Sequence, residues 1–193
     1  TVARAARRAG PLAIGAGASL AAPTFRPPAR RVGTRRRADL PSRRDLIAMT
    51  EDEMWAFIET QRSIQVCTLN KDGTPHLTVM WFAVVDGAIV LETFTKAQKI
   101  VNLKRDPRMA VLLEDGEQYN ELRGVSINCQ AELVEDYDTV HALHVEVVVR
   151  NTPGVTREQA AEFTREMCKK KTVIRVRPQK VMSWDHRKLD VAY

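Results

Sequence analysis

Two threonines and two lysines cluster where a strand is followed by a helix. Thr93 and Thr95 end a β-prone run, and Lys96 and Lys99 follow one turn apart on the predicted helix. A helix start exposes free backbone N–H groups and the positive end of the helix dipole, so anions bind there. Two ammonium groups and two hydroxyls at this point predict a phosphate-binding site. A solvated basic helix with an ordinary cap fits the same spacing.

Three short strands precede this helix and must position it. They are Ile64–Leu69, Pro75–Val85 and Ala88–Thr93, which are runs of largely β-prone residues. Turn residues separate them, at Asn70–Gly73 and again at Asp86–Gly87. Closely spaced strands with tight turns indicate an antiparallel meander, which curls readily into a barrel.

The rest of the pattern completes an α+β fold. A capping pattern at Thr50–Glu53 starts a helix that ends near Gln61. The other predicted helices and strands are the helices Lys96–Arg105, Asp136–Val149 and Thr156–Lys171, and the strands Met109–Leu113, Glu121–Leu133 and Thr172–Val181. We therefore expect a six-stranded antiparallel β-barrel with flanking helices.

The formal net charge of +6 is unevenly distributed. Residues 1–48 hold eleven arginines and two aspartates, a charge of +9, whereas residues 49–193 carry −3. The folded part therefore has no basic excess that favours nucleic acid as a partner. We expect residues 1–48, rich in Ala, Arg, Gly and Pro, to be a disordered extension. Residues 49–193 form the predicted folded domain, with Met49 near the start of the functional protein.

Three widely spaced cysteines, Cys67, Cys129 and Cys168, suit neither a disulfide framework nor a zinc site. Buried thiols in a reducing cytoplasm are the simplest interpretation. His141 and His144 lie one turn apart on a predicted helix, but the sequence supplies no further metal ligand. No apolar run approaches the roughly 20 residues that a membrane helix needs. We expect a cytoplasmic protein without a bound metal and without a membrane partner.

The order of these features resembles a known family. Three features resemble the pyridoxamine-phosphate-oxidase-like split-barrel superfamily. They are the Asn-Lys-Asp-Gly turn, the strand Pro-His-Leu-Thr-Val-Met-Trp-Phe, and the pattern T-x-x-K-x-x-K-x-x-N-L-x-x-D-P from Thr93 to Pro107. The closing pattern R-V-R-P-x-K-V-x-S-W-D-H-R-K is similar to that of its flavin/deazaflavin oxidoreductases, in the B branch that uses coenzyme F420. The resemblance covers roughly residues 50–193.

The resemblance implies a split barrel that forms a homodimer, with the cofactor in a groove between the subunits. The cofactor ring is then expected against the second strand, at His76, Thr78, Val79, Met80 and Trp81. The cofactor phosphate is expected at Thr93, Lys96 and Lys99, with Lys99 as the principal contact and Asn102 as a brace for the helix. Trp184 and Arg187 are expected to line the groove of the other subunit.

The function that the resemblance implies is hydride transfer between reduced F420 and an unsaturated small molecule. FMN-dependent oxidation or reduction on the same fold stays open, as does a cofactor carrier without catalysis. Two positions depart from relatives: Gln98 replaces an arginine of the pyridoxamine phosphate oxidases proper, and Cys129 replaces a frequent glycine. No side chain is singled out as catalytic, since the cofactor supplies the chemistry.

Overall fold

Six strands close into a barrel in the computed structural model, which describes residues 42–189. The strands are β1 (Ser63–Leu69), β2 (Pro75–Val85), β3 (Ala88–Phe94), β4 (Arg108–Asp115), β5 (Arg123–Val134) and β6 (Lys171–Asp185). Their order is β1-β2-β3-β6-β5-β4, and every neighbouring pair is antiparallel. The helices are α1 (Arg43–Ile47), α2 (Glu51–Thr60), α3 (Gln98–Arg105), α4 (Tyr137–Asn151) and α5 (Arg157–Cys168), with a 3-10 turn at His186–Lys188. The predicted α+β fold is confirmed.

Strand β6 extends beyond its predicted end. It continues to Asp185 rather than ending at Val181, because β5 pairs with it as far as Arg123 opposite Asp185. The last four residues, 182–185, are too few to show a clear strand pattern on their own, so the pairing partner defines this part of the strand. An irregularity in the pairing at Asn128 and Cys129 of β5 lets the two strands stay in register on either side of it.

The segment ahead of the predicted domain is partly helical, so the expectation of disorder is wrong for its last residues. In the capping box of α1, the Ser42 hydroxyl accepts from the Asp45 N–H, and the Asp45 carboxylate accepts from the Ser42 N–H. Arg44 donates to Met182 Sδ on β6 at 3.2 Å, which attaches the helix to the barrel. Residues 1–41 of the predicted extension lie outside the described residues.

The barrel interior holds the main hydrophobic core. Strand side chains that are fully buried there include Phe82, Leu91, Leu113 and Ile174. Helices α2 and α3 add apolar side chains to the same cluster, namely Phe57, Ile58, Ile100 and Leu103. Burial of each such side chain stabilises the fold by about 1.5–3 kcal/mol, so α3 is held at the barrel by packing as well as by hydrogen bonds.

Helix α4 packs on the outside of the barrel, over β2 and β3. Its buried side chains meet the outward-facing residues of the strands in a second cluster made of Ala83, Val90, Val140, Leu143, Val147, Cys168 and Val173. This helical layer covers one side of the barrel, and α5 packs against α4 through a third cluster. Among the described helices, none is both long and apolar enough to cross a bilayer.

Strand β2 changes partner halfway along its length. Residues 75–81 pair with β1, whereas residues 82–85 pair with β3. Strand β3 leaves β2 after Leu91, while its other edge continues to pair with β6 as far as Phe94 opposite Lys171. Among the described strands, none pairs with the β3-facing edge of residues 75–81. The barrel is therefore split beside this edge, and half of the backbone N–H and C=O groups of these residues face the gap.

The ring of Trp184 dictates the residue type opposite it. Trp184 on β6 pairs with Gly124 on β5. A Cβ atom at position 124 would lie 2.5 Å from Trp184 Cζ2 and 2.9 Å from the Leu113 carbonyl oxygen. Contacts this short force the ring or the strand to move, so the close approach of the indole requires a glycine.

We expect Gly124→Ala to lower the free energy of unfolding by about 1–3 kcal/mol, because overpacking displaces the indole ring. Urea unfolding followed by tryptophan fluorescence measures this change. Ser126→Ala, on the same strand, is the control and is expected to stay within about 0.5 kcal/mol of the parent. Equal unfolding free energies for Gly124→Ala and the parent would contradict the close contact.

Candidate functional site

The start of α3 differs from the other helix starts among the described residues. Side-chain oxygens cap the other helices and the 3-10 turn, at Ser42, Thr50, Asp136, Thr156 and Asp185. Helix α3 begins after Ala97, which makes no side-chain cap hydrogen bond, and its first turn holds no acidic residue. The first N–H groups of α3 and the positive end of its dipole are therefore available to an anion.

A tight turn joins β3 to α3 and starts the helix two residues later than the sequence predicts. The Ala97 N–H donates to the Phe94 carbonyl oxygen at 2.8 Å, so the first helical residue is Gln98 rather than Lys96. Lys96 consequently lies on the turn and is exposed, while Lys99 lies in the first helical turn and is half-buried. Both lysines remain beside the uncapped helix start.

The two predicted threonines have different surroundings. The Thr95 N–H donates to the Lys170 carbonyl oxygen at 2.9 Å, and the Thr95 hydroxyl accepts from the Thr172 hydroxyl at 3.0 Å. These bonds fix the turn against β6. Thr93 lies opposite Thr172 in the β3–β6 ladder and is 9% exposed, so its side chain has little surface to offer a ligand within one chain.

Lys99 is a partly desolvated positive charge. Burial lowers its pKa, and the nearby Glu92 carboxylate opposes this by raising the pKa. Within the described part of the chain, neither Lys96 nor Lys99 has an ion-pair partner. A partly desolvated ammonium group beside free N–H groups favours phosphate binding, because the anion supplies hydrogen bonds and charge that compensate for the lost hydration.

A buried ion pair near this helix start was not predicted from the sequence. Lys171 Nζ lies 2.8 Å from Glu92 Oε2, and the two side chains are 7% and 17% exposed. Lys171 also lies 4.0 Å from the centre of the Phe94 ring. The signal in the sequence is an acidic residue directly after the apolar run Ile89–Leu91. Lys171 forms the ion pair with Glu92, so the carboxylate acts on Lys99 through its charge without pairing with it.

Asn102 braces α3, as the sequence predicts. Its side chain is fully buried, and its Nδ2 donates to Thr68 Oγ1 at 3.1 Å and to Asn70 Oδ1 at 3.0 Å, both at the end of β1. Its Oδ1 accepts from Gln98 Nε2 at 3.0 Å. Gln98 therefore supports the brace, and the helix is tied to the end of β1 by buried hydrogen bonds.

The five predicted ring contacts on β2 lie on two faces of the strand. His76, Thr78 and Met80 point to the inner side, and Val79 and Trp81 point outwards. Met80 belongs to the hydrophobic core, so only its backbone is within reach of a ligand. The structure therefore brings His76 and Thr78 together beside the split and places Val79 and Trp81 on the opposite side of the sheet.

Polar atoms near the split lack partners. His76 Nδ1 and Thr78 Oγ1 are buried and have no hydrogen-bond partner among the described residues. Buried polar atoms of native proteins are nearly always paired, so unpaired ones point to a missing water or ligand. They lie on the strand whose backbone edge is also unpaired, and the split consequently offers a row of donors and acceptors.

The outer face of the sheet is apolar where no helix covers it. Leu77, Val79 and Trp81 on β2 are 66%, 65% and 56% exposed. We call these three residues the apolar stripe. Next to it, Gln65 pairs with Val79 in the ladder, and its Oε1 is buried without a partner among the described residues. Exposed apolar surface with an unsatisfied polar atom is typical of an interface between protein molecules.

Trp184 and Arg187 lie far from the α3 start within one chain. The path along β6 from Lys171, beside that start, to Trp184 is roughly 40 Å. Trp184 lines a cleft of about 420 Å³ on the outer face together with Arg44, Met182 and His186. Arg187 is engaged in a two-pronged ion pair with Asp185, at 2.9 and 2.6 Å. A single chain therefore does not bring the two predicted halves of the groove together.

The cysteine and histidine residues hold no metal centre in the described range. Within residues 42–189, no group of three or more His, Cys, Asp or Glu side chains is placed to hold a metal ion. His141 Nε2 lies 2.8 Å from the Ala161 carbonyl oxygen. Cys129 lies in the core, where its thiol donates to the Met109 carbonyl oxygen at 3.5 Å and burial raises its pKa to about 12.

Comparison with known proteins agrees with this fold. Residues 50–185 match the pyridoxamine 5'-phosphate oxidase family in sequence. The chain belongs to the pyridoxamine 5'-phosphate oxidase-like split-barrel family. Among the solved structures of this fold is a conserved hypothetical protein, Rv2991, from Mycobacterium tuberculosis. It is 43% identical, with a TM-score of 0.71, over 83% of this chain and 95% of the other.

Other split barrels with this fold carry different descriptions. An F420 reductase is 24% identical with a TM-score of 0.52, over 65% of this chain and 93% of its own. The heme storage protein HutZ from Vibrio cholerae is 16% identical with a TM-score of 0.54, over 69% of this chain and 94% of its own. At these identities the comparison shows a shared fold. No curated protein matches the chain in sequence.

We expect Asn102→Ala to lower the free energy of unfolding by about 1–3 kcal/mol, because Thr68 and Asn70 lose their buried donor. Thermal and urea unfolding measure the loss. Val101→Ala is the matched control, because Val101 is the neighbouring residue on the same helix and is 50% exposed. If both variants unfold alike, the amide of Asn102 does not hold the helix.

Proposed function

We propose that this protein is an F420-dependent oxidoreductase that transfers a hydride between the reduced deazaflavin and an unsaturated small molecule. The observation that carries the proposal is the uncapped, lysine-flanked start of α3 beside the unpaired edge of β2. One feature suits a phosphate and the other suits the polar edge of a ring system. Strand β3 leads from the β2 ladder directly to this helix start, and in a member of the split-barrel family the two features together support a phosphorylated flavin-type cofactor.

The residues present fit such a cofactor. Lys99, Lys96 and the first N–H groups of α3 would hold its phosphate, with Thr95 fixing the turn. The unpaired backbone edge of residues 75–81, with His76 Nδ1 and Thr78 Oγ1, would hydrogen-bond the ring. When bound, the cofactor supplies the hydride chemistry.

The contribution of the chain is orientation and exclusion of water. Backbone donors on β2 are fixed by the ladder to β1, so they do not have to reorganise when the electron density of the ring changes. The barrel core behind Met80 closes the inner side of the split to solvent. No side-chain acid or base is required in this scheme, since the cofactor supplies the hydride chemistry.

A homodimer is part of the proposal, because the site is incomplete in one chain. The three side chains of the apolar stripe are exposed in one chain, and a second copy placed on them would remove that apolar surface from water. Association through the outer face would bring Trp184 of the partner subunit towards the split. The distance between Trp184 and the α3 start within one chain supports this arrangement.

FMN is the second candidate for the cofactor, and a carrier without catalysis is the third. The phosphate-binding features fit FMN as well as F420, and the heme storage protein shares the fold. A yellow, fluorescent protein after purification favours FMN, whereas a colourless protein that binds added F420 favours the first proposal. Binding of F420 without oxidation of its reduced form across enones, quinones and tetrapyrroles supports a carrier.

We expect Lys99→Gln to weaken binding of F420 and of FMN by about 10–100-fold, because one charge-assisted hydrogen bond to the phosphate is lost. Lys99→Glu is expected to abolish binding through repulsion. Fluorescence titration of the purified protein measures both. Lys104→Gln is the matched control on the same helix, where the lysine pairs with Glu135 at 2.6 Å. An unchanged affinity in Lys99→Glu would remove the phosphate assignment.

We expect Leu77→Glu to dissociate the dimer, because a carboxylate in the apolar stripe has to be buried without a partner. Light scattering after size-exclusion chromatography gives the mass directly. Phe163→Glu is the control, since Phe163 is also an exposed apolar residue, 56% accessible, but lies on α5 away from the stripe. Dissociation by both variants, or by neither, would place the interface elsewhere.

A further inference from the structure

A cysteine, a histidine and a glutamate form a line outside the proposed cofactor groove. Cys168 Sγ lies 3.2 Å from His144 Nδ1, and His144 Nε2 lies 3.7 Å from Glu92 Oε1. Three elements contribute one residue each: Cys168 ends α5, His144 lies within α4, and Glu92 lies on β3. The three residues are far apart in sequence. They meet because α4 packs over β3 and α5 packs against α4.

The protonation states suit a nucleophile and its base. Burial lowers the pKa of His144 and raises the pKa of the Cys168 thiol, so the resting pair is a neutral imidazole and a thiol. With the Glu92 carboxylate facing Nε2, the imidazole hydrogen is placed on Nε2, and Nδ1 is free to accept the thiol proton. A nucleophile, a general base and a group that orients the base are the parts of an activated thiol.

Cys168 is also one of the residues around a cleft of about 400 Å³. The other lining residues are Lys171, Thr172, Thr95, Glu135, Tyr137 and Lys169. Besides burial, Glu92 raises the pKa of the Cys168 thiol, whereas Thr164 and Lys171 lower it. The cysteine and the Lys171 cation thus line the same cleft.

Cys129 provides the contrast. Cys129 is 2% exposed and Cys168 is 3% exposed, so the two are equally buried. The Cys129 thiol donates to the Met109 carbonyl oxygen, whereas the Cys168 thiol lies beside His144. Burial alone raises the pKa of Cys129 to about 12. The two thiols differ in their neighbours rather than in their burial.

We propose that Cys168, with His144 as its base and Glu92 as the group that orients the base, is a nucleophilic thiol. It adds to small activated alkenes, such as α,β-unsaturated carbonyl compounds, that enter this cleft. Sγ forms a bond to the β-carbon while the thiol proton passes to His144 Nδ1. The alkene electron pair moves to the carbonyl oxygen, where the Lys171 ammonium group stabilises the enolate. His144 then returns the proton to the α-carbon, so the addition consumes no oxidant or reductant.

The test uses the purified chain with prop-2-enal as the probe near neutral pH. Peptide mass spectrometry measures the rate of adduct formation at each cysteine. Cys168 is expected to react about tenfold faster than Cys129 or more, since a positioned base accelerates the proton transfer. Equal rates at these two buried thiols would overturn the proposal. Because the readout is the adduct, it is independent of cofactor binding, and failure of the proposed oxidoreductase function leaves it unaffected.

His144→Gln separates activation from mere access. The groups that face His144 are Glu92 on β3, Lys171 on β6, His141 on α4 and Cys168 on α5. In the parent, the rate at Cys168 should fall as acid protonates His144. In the variant, the rate should be about tenfold lower and follow thiol ionisation alone.

Cys67 and Cys129 serve as internal controls in the same samples. A slow Cys129 reports that the variant is folded, and an unchanged Cys67 rate reports equal probe concentration. In a folded His144→Gln protein, a Cys168 rate and pH profile equal to those of the parent would refute the role of His144. A reactive Cys129 would show that the variant is unfolded, and the pH profile of the parent then tests the role of His144. A Cys168 rate in the parent that does not fall when His144 is protonated would refute that role.

Discussion

The backbone hydrogen bonds of β2 determine the layout of the proposed site. This strand uses one edge to pair with β1 along its first half and the other edge to pair with β3 along its second. A row of N–H and C=O groups in the first half is left facing the split. Each backbone group that is shielded from water without a partner costs about 1–3 kcal/mol, so a ligand that supplies partners is stabilised there. The split of the barrel and the proposed cofactor site are thus explained by one pairing pattern.

The placement of α3 depends on the same split. Where β3 leaves β2, the chain turns through Thr95 and starts a helix whose apolar side closes the barrel and whose uncapped start faces outwards. Asn102 supplies the buried hydrogen bonds that hold the helix to β1. Glu92 forms an ion pair with Lys171, faces His144 and raises the pKa of Lys99 through its charge. This one strand residue therefore links the proposed phosphate site to the Cys168–His144 pair.

Much of this architecture follows from local sequence signals. The alternation in the meander, the Asp-Gly turn and the caps at Thr50 and Thr156 predict the strands and helices closely, because each signal acts over a few residues. The role of Asn102 as a brace is implied by the family resemblance, and its buried hydrogen bonds to Thr68 and Asn70 agree with it. The start of α3 and the end of β6 were missed, because a turn bond and a paired strand override local propensity there.

The arrangement of side chains across elements was beyond such signals. Period-two alternation shows that His76 and Val79 lie on opposite faces, but not which face meets the split. The line of Cys168, His144 and Glu92 joins residues far apart in sequence, and nothing in the chain order indicates that α4 carries His144 over β3. Helix α1 was mistaken for disorder because its composition resembles the arginine-rich residues before it, whereas a capping box and contacts to β6 stabilise it.

Amide hydrogen exchange with and without bound cofactor tests the role of the split. We expect slower exchange in residues 75–81 and in the first turn of α3 when F420 or FMN binds, because the unpaired edge and the free N–H groups gain partners. Strand β4, which lies away from the split, should exchange at the same rate in both states. Unchanged exchange at residues 75–81 in protein that demonstrably binds the cofactor would contradict the claim.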